Sequence, residues 1–164
     1  MTKLEAKDLL DLRGDLPNPR QIDASELHKL PRVEARATDS HDPSREIVYS
    51  GTPLQEVLKA GGLMRDSGMA CIREIVTTTV LVEAVDGYQA VFSLAELRSE
   101  LTDRVILLAD TKDSQPLPPP EGPLRIIVCG EKRQARWACQ VKAMLAEPLS
   151  GRLNGSWAPI SRRK

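Results

Sequence analysis

The chain has 164 residues, the length of one domain with a sizeable core. Its 23 Lys and Arg balance 23 Asp and Glu, and it contains one Phe, two Tyr and two Trp. Without a net positive field or aromatic stacking platforms, nucleic acid is not an expected partner, and no apolar run reaches the ~20 residues of a membrane span. The N-terminus lacks the apolar stretch of a secretory signal, so the cytoplasm is the default expectation unless a signal was removed.

The first half of the sequence predicts three short strands, at residues 9–13, 33–38 and 46–50. Between the first two, Asp23 and Glu26 have the spacing of a capping box that begins a helix, and Pro31 ends it. Residues 39–45 form a polar, turn-rich loop.

A second helix is predicted after residue 52. Thr52 precedes Pro53, and Gln55 follows three residues after Thr52. This pattern predicts Thr52 as the N-cap, Pro53 as the first helical residue and Gln55 as the residue that closes the capping box. Gly61 and Gly62 are expected to end the helix.

The middle of the chain predicts a β-hairpin followed by a helix and a strand. Residues 71–76 fit either a strand or a short helix, whereas residues 77–85 are β-branched and predict a strand. Asp86-Gly87 favours a two-residue hairpin turn. Ser93 and Glu96 predict a capping box and a helix to about residue 100, and residues 104–109 predict another strand.

The stretch from residue 107 to 141 contains a proline-rich loop, an apolar strand at 124–129, Gly130 and a basic segment with Lys132, Arg133 and Arg136. If a helical turn begins there, its free N–H groups and these cations would face an anion together. After Trp137 the pattern fits a helix and a strand equally well.

These elements predict an α+β domain with a mixed β-sheet and short capped helices. Residues 1–147 are interpreted as a single domain, and residues 148–164 as a basic, turn-rich C-terminal tail. Cys71, Cys129 and Cys139 are odd in number and widely spaced, which argues against a disulfide framework and a zinc site. We expect three reduced and mostly buried thiols.

Four short motifs occur in the order seen in the sulfite oxidase-type molybdopterin-binding domain, and over roughly residues 10–147 the chain resembles that family. The motifs are Ser50-Gly51-Thr52-Pro53-Leu54, Asp86-Gly87-Tyr88, Pro116-Leu117-Pro118 with Gly122-Pro123-Leu124-Arg125, and Gly130 with Arg136-Trp137. The resemblance implies a barrel-like fold, a short helical turn at 131–136 and a closing strand after it. It also implies that Lys132, Arg133, Arg136 and Trp137 bind the phosphate and pterin end of a molybdopterin or a related pterin.

The chain departs from that family where the family binds molybdenum through a cysteine thiolate. Residues 33–42 match this region and contain no cysteine, and neither Asp39 nor His41 replaces a soft thiolate. We therefore expect no metal site and assign no catalytic residue.

The sequence favours a small stand-alone member of the fold that binds a pterin-like or other small anionic ligand without molybdenum redox catalysis. Two alternatives stay open: an active molybdopterin-dependent oxidoreductase, and a structural or interaction module with a closed pocket. A protein partner is compatible with each of these three interpretations. The two interpretations without catalysis are favoured over the enzyme.

Overall fold

The computed structural model describes residues 10–63 and 72–149. Within them lie four short helices: α1 Ala24–Lys29, α2 Leu54–Ala60, α3 Ile72–Thr77 and α4 Leu94–Leu97. The ten strands are β1 Leu10–Gly14, β2 Arg20–Ile22, β3 Val33–Thr38, β4 Glu46–Pro53, β5 Thr78–Ala84, β6 Gln89–Ser93, β7 Ile106–Lys112, β8 Gln115–Pro116, β9 Arg125–Val128 and β10 Val141–Pro148. No helix in these ranges combines the length and the apolar composition needed to cross a membrane.

The strands form two five-stranded sheets, which confirms the α+β prediction. The first has the order β2-β1-β10-β5-β6, and the second has the order β3-β4-β7-β8 with β9 also paired to β7. β1 and β10 are parallel, and the other pairs are antiparallel. The sequence predicted a barrel-like domain. Neither sheet closes on itself, so the fold is not a closed barrel.

The basic segment lies where the two sheets are joined. The amide of Ile126 in β9 donates to the carbonyl of Ala138 at 2.9 Å, and the amide of Val141 donates to the carbonyl of Leu124 at 2.9 Å. The chain therefore leaves β9, reverses over residues 129–137, pairs with β9 again and continues into β10. This return carries the chain from the second sheet into the first.

Apolar strands supply the core. Leu107, Leu108, Ile126 and Ile127 are fully buried on the paired strands β7 and β9. Because consecutive residues of β7 and β9 are buried, both faces of these strands are covered by other parts of the protein. In β5, by contrast, buried residues alternate with half-buried ones, so only one face is fully covered. These buried strands form the base on which the loops of the molecule are positioned.

Two of the three predicted capping boxes are confirmed. The amide of Glu26 donates to Asp23 Oδ1 at 2.8 Å and begins α1. The amide of Ser93 donates to Glu96 Oε2 at 3.1 Å and begins α4, although α4 ends at Leu97 instead of about residue 100.

The prediction of a third capping box, at Thr52, is wrong. Pairing with β7 extends β4 to Pro53, so Thr52 is a strand residue and Pro53 is an N-cap without a side-chain hydrogen bond. The buried Thr52 hydroxyl is 3.5 Å from the carbonyl of Leu27, and Gln55 accepts a hydrogen bond from the amide of Ser99 at 3.1 Å. Cross-strand pairing decides the local conformation here.

The predicted turns at 86–87 and 131–136 also differ from the structure. Only Gly87 has a positive φ, and the Ala84 amide donates to the Tyr88 carbonyl, so the hairpin loop has three residues instead of two. Residues 131–136 contain bends and a β-turn but no helical turn, because this segment is the loop that returns the chain to β9. The strand β10 after Trp137 is confirmed, and residues 72–77 form a helix.

β2 and β8 have no counterpart among the predicted strands. Cys129 and Cys139 are free thiols, but both are half-buried instead of mostly buried as predicted, and Cys71 lies outside the described residues. β10 continues through Pro148, one residue past the predicted domain boundary. The interpretation of residues 148–164 as a tail stays a prediction, since residues 150–164 also lie outside the described part of the chain.

Candidate functional site

A cleft of about 670 Å³ opens between residues 129–137, which we call the return loop, and the end of β3. Residues 36–40 line one side of this cleft. Residues 129–134 and Trp137 line the other side. The basic segment therefore faces the end of β3 and the residues that follow it.

Lys132 and Arg133 are the cations that the cleft leaves unpaired. Both side chains are exposed and line the cleft, and neither has a hydrogen bond or ion pair with any described residue. Arg36 adds a third cation from the opposite side, 3.3 Å from Glu46. An anion in the cleft would meet these side chains without first having to displace a partner of Lys132 or Arg133.

The acidic residues of the cleft have neighbours of their own. Asp39 accepts a hydrogen bond from the amide of His41 at 2.9 Å and lies 3.9 Å from Arg45. Glu131 pairs with Arg136. His41 does not line the cleft, and no hydrogen bond or ion pair joins its side chain to Asp39 among the described residues. These carboxylates therefore do not neutralise the positive charges of Lys132 and Arg133.

Arg136 does not line this cleft. Its guanidinium pairs with Glu131 and with Glu96 at 2.9 Å, donates to the carbonyl of Val91 at 3.2 Å and lies 4.5 Å from the centroid of the Phe92 ring. Burial opposes its charge, but the hydrogen bonds to Glu131 and Glu96 outweigh burial and raise the pKa of Arg136. This arginine joins the return loop to β6 and α4.

Trp137 belongs to both the core and the cleft. It is 7% exposed and packs edge-on against Tyr49, with 6.1 Å between the ring centroids. The Cζ atom of Arg125 lies 5.5 Å from the centroid of the Trp137 ring and 5.9 Å from the centroid of the Tyr49 ring. The indole Nε1 is buried and has no hydrogen-bond acceptor among the described residues. The ring is held by cation–π and edge contacts instead of by its polar atom.

Arg125 is the residue that the sequence motif contained but did not mark as important. It donates to Glu121 at 2.9 Å, to the Tyr49 hydroxyl at 3.3 Å and to Gln134 Oε1 at 3.4 Å. Burial raises the pKa of Tyr49, while the charge of Arg125 lowers it. Because Gln134 and Trp137 line the cleft, Arg125 supports one of its walls from within.

Cys129 also lines the cleft, although the sequence analysis did not assign it to a site. Its thiol is half-buried, and burial raises its pKa, so a neutral thiol is favoured at neutral pH. It lies on the β9 side of the cleft, opposite the residues at the end of β3. In the described ranges, no three His, Cys, Asp or Glu side chains group together as a metal site. The expectation that no metal is bound stays a prediction, since a metal held by a cofactor needs fewer protein ligands.

No protein-family model matches the sequence, and no curated protein matches it. The fold is similar to that in the crystal structure of the sulfane dehydrogenase SoxCD from Paracoccus pantotrophus, with a TM-score of 0.65 and 15% sequence identity. The match covers 88% of this chain and 39% of that chain, so this chain corresponds to well under half of it. The similarity supports the sequence resemblance as a distant relationship of fold.

Proposed function

We propose that this domain binds a small anionic ligand of the molybdopterin type in the cleft, through the phosphate end of that ligand. The observation that carries the proposal is the pair of unpaired cations, Lys132 and Arg133, on the wall of an open cleft. The distant similarity of fold to a sulfane dehydrogenase is compatible with a ligand of this class.

The chemistry of the two cations suits a phosphate. The guanidinium of Arg133 offers a planar set of donors to two phosphate oxygens, and Lys132 adds a compact positive charge. Since both side chains are exposed, we expect each to contribute on the order of 1 kcal/mol to binding, decreasing with salt. Trp137 and Gln134 would contact the rest of the ligand from positions fixed by Arg125.

The residues present fit the anionic end of the cofactor and do not fit its metal. On the β3 side of the cleft, Thr38, Asp39 and Ser40 offer hard oxygen donors where the related enzymes use a soft thiolate. The proposed function is therefore ligand binding without molybdenum redox catalysis.

One observation favours the second candidate, a molybdopterin-dependent oxidoreductase. The thiol of Cys129 lines the same cleft and is a soft ligand. This thiol lies on the β9 side of the cleft, opposite residues 36–40, whereas the resemblance places the family's metal-binding cysteine within residues 33–42. We therefore place the oxidoreductase second.

Purification from a host that makes molybdopterin separates these functions. Bound molybdenum is measured by mass spectrometry, and the pterin is measured by its fluorescence after oxidative denaturation. Pterin without stoichiometric molybdenum supports the binding protein, whereas both together support the oxidoreductase. If neither is bound and phosphate compounds do not raise the melting temperature, the cleft is not a binding site and the interaction module remains.

A pair of double variants tests the two cations. Lys132→Ser with Arg133→Ser is expected to reduce pterin retention by about tenfold or more, since two contacts of on the order of 1 kcal/mol are lost. The matched control is Lys29→Ser with Arg104→Ser, which removes two exposed cations that do not line the cleft. Equal loss in both double variants would indicate a general charge effect and contradict the site.

A further inference from the structure

A second cavity, of about 250 Å³, lies between α1 and the loop that connects β7 to β9. Its apolar walls come from α1, through Ala24 and Leu27, and from the loop, through Leu117, Pro123 and Leu124. None of its lining residues lines the cleft described above. The cavity is therefore separate from the proposed anion site.

The walls of this cavity are fixed by the core. Leu27, Leu117 and Leu124 are buried members of the main hydrophobic cluster. The capping box of Asp23 and Glu26 fixes the start of α1 at the cavity. A preformed apolar cavity with a few polar groups at its edge is the usual form of a small-molecule site.

The polar groups of the cavity include two carboxylates but no Lys or Arg. Asp110 forms two hydrogen bonds with Arg32, at 2.9 and 2.6 Å, and lies 3.6 Å from Nδ1 of His28. Arg32 is not part of the lining. The charge of Asp110 is thus largely balanced from outside the cavity.

Asp23 is the carboxylate that has no cation beside it. Its Oδ1 accepts a hydrogen bond from the Glu26 amide at 2.8 Å, which satisfies the helix start without neutralising the charge. No ion pair involves Asp23 within the described residues. The edge of this cavity is therefore acidic, whereas the cleft is basic.

We infer that this cavity binds a small, mainly apolar molecule that carries one amine, with the apolar part between α1 and the loop and the ammonium group beside Asp23. This site goes beyond the proposed function and does not depend on it. Apolar burial supplies the attraction, and the carboxylate selects the charge of the ligand.

Three probes of similar size and different charge test the inference on the full chain: benzylamine, benzyl alcohol and benzoate. Binding is followed by NMR chemical-shift titration. Benzylamine is expected to bind about fivefold or more tightly than benzyl alcohol, because an ammonium–carboxylate contact near the surface has that strength, and benzoate is expected to bind least. Absence of saturable benzylamine binding, or a preference for benzoate, overturns the inference.

Asp23→Asn isolates the charge from the fold. Asn is as good an N-cap as Asp, so α1 is expected to keep its start. Benzylamine should lose its advantage of about fivefold, whereas benzyl alcohol should bind as before. Unchanged selectivity in this variant would show that Asp23 does not contact the ligand and would overturn the assignment.

Ala24→Phe isolates the space. A phenyl group at this position is expected to fill the cavity and abolish binding of all three probes. Ser25→Phe is the control, since residue 25 is exposed and does not line the cavity. Circular dichroism shows whether each variant is folded, and the Asp23→Asn result decides the inference if Ala24→Phe does not fold. Retained binding in a folded Ala24→Phe variant would place the probes elsewhere.

Discussion

Arg136 illustrates how a side chain that resembles a ligand contact can instead stabilise the fold. Its two carboxylate partners come from the return loop and from α4, and the Phe92 ring lies against its guanidinium. The side chain is only 27% exposed. Removing it would leave Glu96 and Glu131 close together without a shared cation.

We therefore expect Arg136→Ala to lower the free energy of unfolding by about 1–3 kcal/mol. Urea denaturation followed by circular dichroism measures this change. Arg104→Ala is the control, because Arg104 is exposed and has no ion pair among the described residues, and it should change stability by less than about 0.5 kcal/mol. A stable Arg136→Ala variant that loses pterin would return Arg136 to the binding site.

Cys129 provides a test at the level of a single pKa. Because burial raises the pKa of this thiol, less thiolate is present at pH 8 than in an exposed cysteine. We expect slower alkylation by iodoacetamide at pH 8 than for cysteine in a short peptide, with the rate still rising at pH values where the rate of the peptide has levelled off. Peptide mass spectrometry separates Cys129 from the other two thiols. Rapid alkylation at pH 7 would instead indicate an activated thiolate and favour the oxidoreductase.

Local sequence predicted those residues whose partners are local. Asp23 with Glu26, and Ser93 with Glu96, are capping partners three residues apart, so their spacing was sufficient. Arg136 meets Glu96 across 40 residues of sequence, and that proximity depends on the return loop. The importance of Arg125 could not be predicted for the same reason.

Pairing between elements also overrode local signals. The Thr52-Pro53 pattern is typical of a helix start, yet β7 pairs with residues 49–53 and keeps them extended. Residues 131–136 could not be predicted as a loop, because the sequence does not show that residues 138–141 pair with β9. β10 itself was ambiguous by pattern, and the family resemblance correctly favoured a strand.

Close packing of β4 against β7 gives a test at the scale of elements. A Cβ added at Gly51 would collide with the backbone of Leu108 and Ala109, next to an irregularity in the strand pairing. Since backbone atoms of a central strand cannot move aside cheaply, Gly51→Ala is expected to cost about 3 kcal/mol or more, measured by urea denaturation. The cost arises from space and not from backbone conformation.

Gly87→Asn is the matched control for that prediction. Gly87 has φ +87 and no heavy atom within 4 Å of an added Cβ, so this position needs conformational freedom but not space. Asn tolerates the left-handed region, and the change should cost no more than about 1 kcal/mol. If the two substitutions were equally destabilising, the steric explanation for Gly51 would be incorrect.

At the scale of the whole molecule, a neutral chain carries two candidate sites of opposite charge. Lys and Arg balance Asp and Glu overall, so neither site is produced by a general excess of charge. The basic cleft arises where the return loop faces β3, and the acidic cavity arises where α1 faces the loop between β7 and β9. Composition predicts the class of partner, and that stays a prediction, whereas only the topology brings the charges of each site together.

The position of β10 leads to a prediction about the whole fold. This last described strand lies in the middle of the first sheet, parallel to β1 and antiparallel to β5, and it buries Val141, Met144 and Ala146. A chain that ends at residue 140 would leave β1 paired only with β2 and β5 paired only with β6, and it would expose that apolar surface. We expect it to show no cooperative thermal unfolding by circular dichroism. A chain that ends at residue 149 keeps β10 and should unfold cooperatively, as the predicted single domain requires; its failure to fold would show that the residues after 149 contribute to the domain.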